Sequence, residues 1–246
     1  WRPELPLTEI LMMDSTLLPR PRARRPWTVL LLGGASGVGK SSVSYRLAHH
    51  FGAGITEVDD FQVMLQRCTT PAQMPALHRW EQDEEFRNAP PERIAEHIRA
   101  VGREMAPGLI EIINNHLTAA APVVLEGDFL LPELLLHPDL VHATQSGLLR
   151  AVFLQETRVE QLVTNRFERE PESGDQRTRA LVSMHHGAWL ERTCNEMNVP
   201  ILHARPWQTL LARLISECTE DPLPIYPPTG HSFAHDHGLH HAGHDR

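Results

Sequence analysis

The 246-residue chain contains a single lysine. The other 22 of its 23 basic residues are arginines. A codon bias towards Arg accounts for the chain at large, and it makes the position of the one survivor, Lys40, informative. An ammonium is a compact point charge, suited to sites where a broad guanidinium fits poorly. Cysteine is almost as scarce. Cys68, Cys194 and Cys218 include no Cys-x-x-Cys pair, so neither a disulfide framework nor a thiolate zinc site is indicated, and a reducing, cytoplasmic setting is expected. Basic charge is in deficit: the net charge is −8, which argues against a partner such as nucleic acid. No apolar run approaches the roughly 20 residues that span a bilayer, and residues 1–4, Trp-Arg-Pro-Glu, do not open a secretory signal, so no membrane partner is expected.

What is present alternates. Residues 1–26 are rich in Pro and Arg and read as an extended arm. From Trp27 onwards, apolar runs typical of buried strands (Thr28–Leu32, Ile55–Val58, Val123–Leu125, Leu148–Leu154 and Val199–His203) are separated by helical patterns. The helical patterns cover Gly39–Phe51, 61–67, Pro91–Leu117 with a break expected at Pro107-Gly108, Val159–Arg169, 180–197 and Trp207–Glu217. Strands alternating with helices indicate a parallel sheet covered on both faces, an α/β fold of three layers. One domain over residues 27–220 follows, with residues 221–246 as a flexible Pro- and His-rich tail.

Residues 33–42 read Gly-Gly-Ala-Ser-Gly-Val-Gly-Lys-Ser-Ser. They satisfy the phosphate-loop pattern G-x-x-x-x-G-K-[ST] through Gly34, Gly39, Lys40 and Ser41, with an apolar strand before and a helix after. Glycines let backbone N–H groups turn inward around a phosphate, and the following helix adds its positive N-terminal end. Ala35, Ser36, Gly37, Val38 and Ser42 complete the cradle. Lys40 would reach the β- and γ-phosphates of ATP, and Ser41 would offer its hydroxyl to Mg²⁺. A second element ends the third strand, where Glu126 stands in the place usual for a magnesium-binding Asp and is followed by Gly127 and Asp128. Glu126 is a candidate for Mg²⁺ or substrate, and Asp128 for substrate or for a structural cap.

The other candidates lie outside that loop. Asp59 and Asp60 close the second strand at the ligand-bearing edge of an open α/β sheet. Asp59 is read as the base that takes a hydroxyl proton, with a share in Mg²⁺ binding, and Asp60 as a helix cap or a support. Arg79 and Trp80 sit in a polar stretch, and Trp80 either walls a substrate pocket or anchors a helix. Residues 165–179 carry Arg166, Arg169, Arg177 and Arg179 around Pro171 and Gly174, as expected of a lid that excludes water and neutralises a moving phosphoryl group. Arg166 and Arg169 share a helix face and are its two catalytic candidates. The tail holds His231, His235, His237, His240, His241 and His244, a composition that would give loose transition-metal affinity.

Taken together, the loop, the acidic turn after strand two and residues 125–132, Leu-Glu-Gly-Asp-Phe-Leu-Leu-Pro, resemble the 2-phosphoglycerate kinase-like P-loop proteins. Residues 200–210, Pro-Ile-Leu-His-Ala-Arg-Pro-Trp-Gln-Thr-Leu, are similar to that family's closing strand and helix. The turn Asp59-Asp60-Phe61 is also similar to uridine kinases. The resemblance implies a P-loop NTPase fold with a five-stranded parallel sheet ordered 2-3-1-4-5, ATP, Mg²⁺, an arginine-bearing lid and transfer of a phosphoryl group to a small-molecule hydroxyl. The chain departs from the family at Asp128-Phe129, where the family has an apolar residue and His. A homodimer is compatible with this outline. The competing expectation is a P-loop ATPase, nucleotide switch or metallochaperone without a small acceptor. A guanine-reading Asn-Lys-x-Asp motif is ruled out, because Lys40 is the only lysine.

Overall fold

The computed structural model describes residues 25–172 and 174–228. Five strands form one sheet: β1 (Val29–Gly34), β2 (Gly54–Glu57), β3 (Val123–Gly127), β4 (Leu149–Gln155) and β5 (Ile201–His203). The sheet is parallel throughout, in the order β2-β3-β1-β4-β5. The central strand β1 is Val-Leu-Leu-Leu-Gly-Gly, buried along its whole length. Such a strand cannot face water on either side, so helices must cover both.

The period of two sorts its side chains. Val29 and Leu31 pack on one face with Leu125, Ala151 and Phe153. Leu30 and Leu32 pack on the other with Val124, Val152 and Leu154. The second face is covered by α1 (Lys40–Phe51) together with two later helices, α7 (Val159–Arg169) and α9 (Trp207–Thr219). The first face is covered by α2 (Val58–Cys68), α3 (Pro75–Gln82), α5 (Pro91–Thr118) and α8 (Gln176–Met197). Two short helices, α4 (Glu84–Arg87) and α6 (Val141–Gln145), and a 3₁₀ turn at Pro132–Leu136 complete the elements of the described residues. Full burial of one such leucine is worth roughly 2 kcal/mol, so a polar residue at Leu31 or Leu32 would act on the sheet and on the loop that β1 carries.

Two expectations change, those at Pro107 and at Asp59-Asp60. The helix through Pro107 does not break: α5 runs unbroken from Pro91 to Thr118 with Pro107 inside it. Pro107 lies on the exposed side, while Val101, Met105, Leu109, Ile110 and Ile113 maintain a buried stripe against the sheet and α8. Burial of that stripe outweighs one missing hydrogen bond. Asp59 and Asp60 do not end a strand. They occupy the first turn of α2, whose N-cap is Glu57, and Asp60 caps nothing. The polar stretch at 74–88 is helical, forming α3 and α4.

Residues 221–228 lie against the domain. Tyr226 N–H donates to Met197 O at 3.0 Å, Asn198 Nδ2 donates to Pro224 O at 2.9 Å, and Ile225 packs on the core. The histidine cluster from His231 onwards and residues 1–24 of the N-terminal arm are outside the described residues.

Candidate active site

β1 ends at Gly34, where the backbone turns with φ of 142° and an added Cβ would come within 2.5 Å of Leu154 O. Only glycine can enter the turn there. The turn then delivers Gly39, at φ of 97°, as the N-cap of α1. No side chain caps that helix, so its first N–H groups point into the loop without a side-chain acceptor. They give the loop its anion-binding character. Strand, glycine turn and uncapped helix make this a P-loop. The chain has the P-loop NTPase fold.

Lys40 is 5% exposed and lies inside the P-loop. Its ammonium donates to Ala35 O at 3.2 Å and to Asp128 Oδ1 at 2.5 Å, and Glu126 Oε1 is 3.9 Å away. The register of β1 and β3 sets this arrangement: Leu32 pairs with Glu126 and Gly33 with Gly127, so the end of β3 meets the start of the loop. Asp128 is thus the nearer partner of Lys40. Burial alone would raise the Asp128 carboxyl, but the charge and hydrogen bond of Lys40 bring it below its ordinary value, with His186 and Arg166 assisting. Glu126 is raised, by burial first, and Lys40 and the Ser41 hydroxyl only partly offset that. Its Oε2 is buried without a hydrogen-bond partner.

Asp59 faces this group. Its carboxyl is open to solvent, yet its pKa is raised to about 6. Burial by the surrounding walls is the main cause and the Asp128 charge the next, with Lys40 and Arg169 opposing. Asp60 is exposed in the same helical turn. Three carboxylates, Glu126 buried, Asp128 half-buried and Asp59 open, therefore stand near a single ammonium, and only Asp128, bonded to it, is held below its ordinary value.

Two clefts open on the P-loop. The first, of about 620 Å³, is lined by Gly37, Gly39, Lys40, Ser41 and Ser42 together with Gln161, Asn165, Glu168, Arg169, Arg205 and Trp207. Asn165 Nδ2 donates to Gly37 O at 2.8 Å, and Gln161 Nε2 donates to Asn165 Oδ1 at 2.8 Å. Arg205 lies over the Trp207 ring, 5.8 Å from its centroid, and donates to Glu156 Oε2 at 3.4 Å. Asn165, Arg205 and Trp207 were missed as site residues. Only the segment Ala204-Arg205-Pro206-Trp207 after β5 carried a signal, an Arg beside an aromatic at a strand end.

The second cleft, of about 580 Å³, is lined by Ser36 of the P-loop, Trp80, Arg87, Arg166, Asp175, Arg179 and neighbours. Trp80 is 44% exposed and stands edge-on to Phe86, so it is a wall of this cleft rather than a core anchor. Arg79 points elsewhere: it pairs with Asp83 at 3.3 Å and lies over Phe86. Arg166 is only 5% exposed, donates to Ser183 Oγ at 2.9 Å and packs beneath Gly37. Burial, followed by the Arg179 charge, pulls it down to about 10, so it stays cationic at neutral pH. Arg169 lines the first cleft and shares Glu170 with Arg179, at 2.7 and 2.8 Å. The expected lid over 165–179 is therefore two helix ends joined by residues 170–175. His186, fully buried on α8, donates through Nε2 to Asp128 O at 3.3 Å and is held neutral by burial, its pKa pushed down to about 4. It orients the turn that carries Asp128, and nothing in the sequence pattern singled it out.

Among the described residues no cluster of three or more His, Cys, Asp or Glu forms a metal cage. The donors present still fit Mg²⁺. That ion is commonly held by one or two carboxylates plus phosphate oxygens and water, and the unpartnered Glu126 Oε2 beside Ser41 supplies one carboxylate and one hydroxyl.

No family model matches the chain. A 2-phosphoglycerate kinase from Methanococcus vannielii is 28% identical over 131 residues, an alignment that takes in 50% of this chain and 42% of that protein. The chain thus matches less than half the length of this relative. Among solved structures, a gluconokinase from Sinorhizobium meliloti aligns with a TM-score of 0.46 and 20% identity over 79% of this chain and 93% of the other. A shikimate kinase from Acinetobacter baumannii, in complex with shikimate, aligns with a TM-score of 0.41 and 14% identity over 80% and 97%. The chain is similar to P-loop small-molecule kinases. No described helix is long and apolar enough to cross a membrane.

Proposed function

We propose that the protein transfers the γ-phosphoryl group of ATP to a hydroxyl of a small molecule. The observation that carries this reading is the pair of clefts on one P-loop. A nucleotide alone would need the cleft at Gly37–Ser42; a second cleft, reaching the loop at Ser36, leaves room for a second reactant. An ATPase or nucleotide switch without an acceptor has no use for it.

In this reading the loop amides and Lys40 bind the β- and γ-phosphates. Phosphate binding draws Lys40 away from Asp128 and towards the new anion. Ser41 and Glu126, with a share from Asp59, would hold Mg²⁺, and the ion would supply neutralisation of phosphate charge. Arg205 and Trp207 offer a cationic and aromatic platform for the base. Asp59, with a pKa of about 6, is ionised at neutral pH and basic enough to take the proton of the attacking hydroxyl. Arg169, from the first cleft, offsets the charge on the moving group, and buried Arg166 adds its field from beneath the loop. The three cysteines are free, two of them buried, which fits the reducing compartment proposed for the protein, the cytoplasm.

A screen of hydroxylated metabolites for acceptor-dependent ADP release tests the proposal, with the Lys40→Ala protein as control. Stimulation well above basal hydrolysis is the expected result. Uniform basal turnover across all acceptors would leave an ATPase instead.

A further inference from the structure

We infer that the acceptor is an anion, and that Arg87 and Arg179 bind its phosphate or carboxylate group in the second cleft. The word acceptor rests on the transferase reading above; the anion site itself does not. The chain carries a net charge of −8. Even so, Arg87, Arg166 and Arg179 line one cavity of about 580 Å³ whose only lining carboxylate among the described residues is Asp175. That carboxylate is already engaged. It caps α8 by accepting from the N–H groups of Arg177 and Thr178, and from the Thr178 hydroxyl at 2.5 Å. It therefore adds negative charge at the rim without pairing any of the three guanidinium groups.

The three arginines are not equivalent. Arg166 is buried and bonded to Ser183, so it contributes field rather than contact. Arg179 is half-buried and shares Glu170 with Arg169. Arg87 is exposed and makes no ion pair among the described residues, although Asp83, Glu84 and Glu85 precede it closely in the chain. Arg166 is lowered by burial first and by the Arg179 charge next, so these two like charges repel across the cavity. An anion seated between α4 and α8 removes that repulsion. Arginine's planar fork suits carboxylate and phosphate equally.

The position fits an acceptor. Ser36 lines this cavity and Gly37 lines the nucleotide cleft. A molecule anchored by its charge near Arg87 and Arg179 can therefore extend a hydroxyl past Ser36 towards the loop. Trp80 closes the side. The chemistry selects sugar acids and phosphorylated metabolites over neutral nucleosides and apolar natural products.

Calorimetric titration of the full chain, preloaded with ADP and Mg²⁺ so that the P-loop is filled, tests this. The anionic probes are 2-phosphoglycerate and gluconate, and the uncharged controls are glycerol and glucose. At least one anion binds while both controls do not. Arg87→Gln and Arg179→Gln each weaken that binding by about tenfold or more, Arg87→Lys weakens it less, and ADP affinity stays the same. Equal binding of the controls, no binding of either anion, or anion affinity unchanged in Arg87→Gln would overturn the inference. The two readings can fail separately. Arginine-dependent anion binding with no acceptor-stimulated turnover sinks the transferase alone. Phosphoryl transfer to an uncharged hydroxyl compound, indifferent to Arg87→Gln, sinks the anion site alone.

Discussion

The two clefts are close in volume, about 620 and 580 Å³, and both are lined by arginine, but they are built in opposite ways. The first cleft takes five of its lining residues, Gly37 and Gly39 to Ser42, from the P-loop itself, where the glycines leave backbone N–H groups open to an anion. The second cleft borrows one residue from the loop and takes the rest from α3, α4, α5, α7 and α8 and from the connections at 88–89 and 174–175. A triphosphate looks the same to every protein that binds it, so main-chain amides suffice. An acceptor is individual and has to be read by side chains brought together from distant segments. If that division is correct, changes in one cleft should leave binding in the other untouched.

Lys40→Ala is the strongest test. Removing the only ammonium from the loop is expected to lower turnover by a factor on the order of 10³ or more and to abolish measurable ATP binding by calorimetry. Binding of 2-phosphoglycerate or gluconate to the second cleft should persist. A parallel loss of both would mean that the clefts are one site.

Asp59→Asn comes next and addresses the proton transfer proposed beside Lys40 and Asp128. Loss of the base should cut kcat by about 10²–10⁴-fold with ATP binding nearly intact. The pH profile gives an independent reading. Asp59 must be ionised to accept a proton, so kcat of the unaltered protein should rise with pH through about 6 and then level. A variant with the same acid limb would show that the titrating group is another one, with Glu126 the nearest candidate because its carboxyl is also raised.

The same contrast explains what could be read in advance. The parallel sheet, the loop and the places of Lys40, Ser41 and Glu126 were legible because each is marked by neighbours in sequence: an apolar run, three glycines, a carboxylate at a strand end; the order of the strands came only from the family resemblance. Asp128 could be located but not ranked, since its pairing with Lys40 depends on the register of β1 with β3. Arg87, Asn165 and His186 carried no local mark, and Arg205 only its place beside Trp207 at a strand end. Each matters only through what the fold places opposite it: Gly37 O for Asn165, Asp128 O for His186, Trp207 for Arg205. Pro107 misled for a related reason. A local rule predicts a break there, and a buried stripe running along the whole of α5 overrides it.

Gly39→Ala probes the backbone side more gently. At φ of 97° an alanine is strained, and its Cβ would meet the Trp207 ring at 2.6 Å. A loss of about 1–3 kcal/mol in denaturant unfolding is expected, with weaker ATP binding because Trp207 must move. Anion binding in the second cleft should not change.

The smallest effect is a gain. Asp59 has its pKa raised to about 6 from an ordinary 3.8, so the folded protein holds that proton more tightly than the unfolded chain does. Between those two values the unfolded state binds fewer protons, and stability falls as pH rises. Above pH 6 the ionised carboxylate is a standing cost, one that Asp59→Asn removes. The carboxyl is open to solvent, and water screens much of that cost. The gain should therefore be no more than about 1 kcal/mol at pH 7, or roughly 2–4 °C in Tm. It should shrink as pH falls through the window from 6 to 3.8 and vanish below, where both states are protonated. A variant that loses turnover yet melts higher at pH 7, and equally at pH 3.5, would mark Asp59 as a residue kept for chemistry at the expense of stability. The corresponding neutralisation in the second cleft, Arg87→Gln, should produce no comparable gain, because Arg87 is exposed on a short surface helix. A gain there as large as that of Asp59→Asn would mean that the repulsion among the three arginines is as costly as the buried acid cluster, and that the second cleft is as strained as the first.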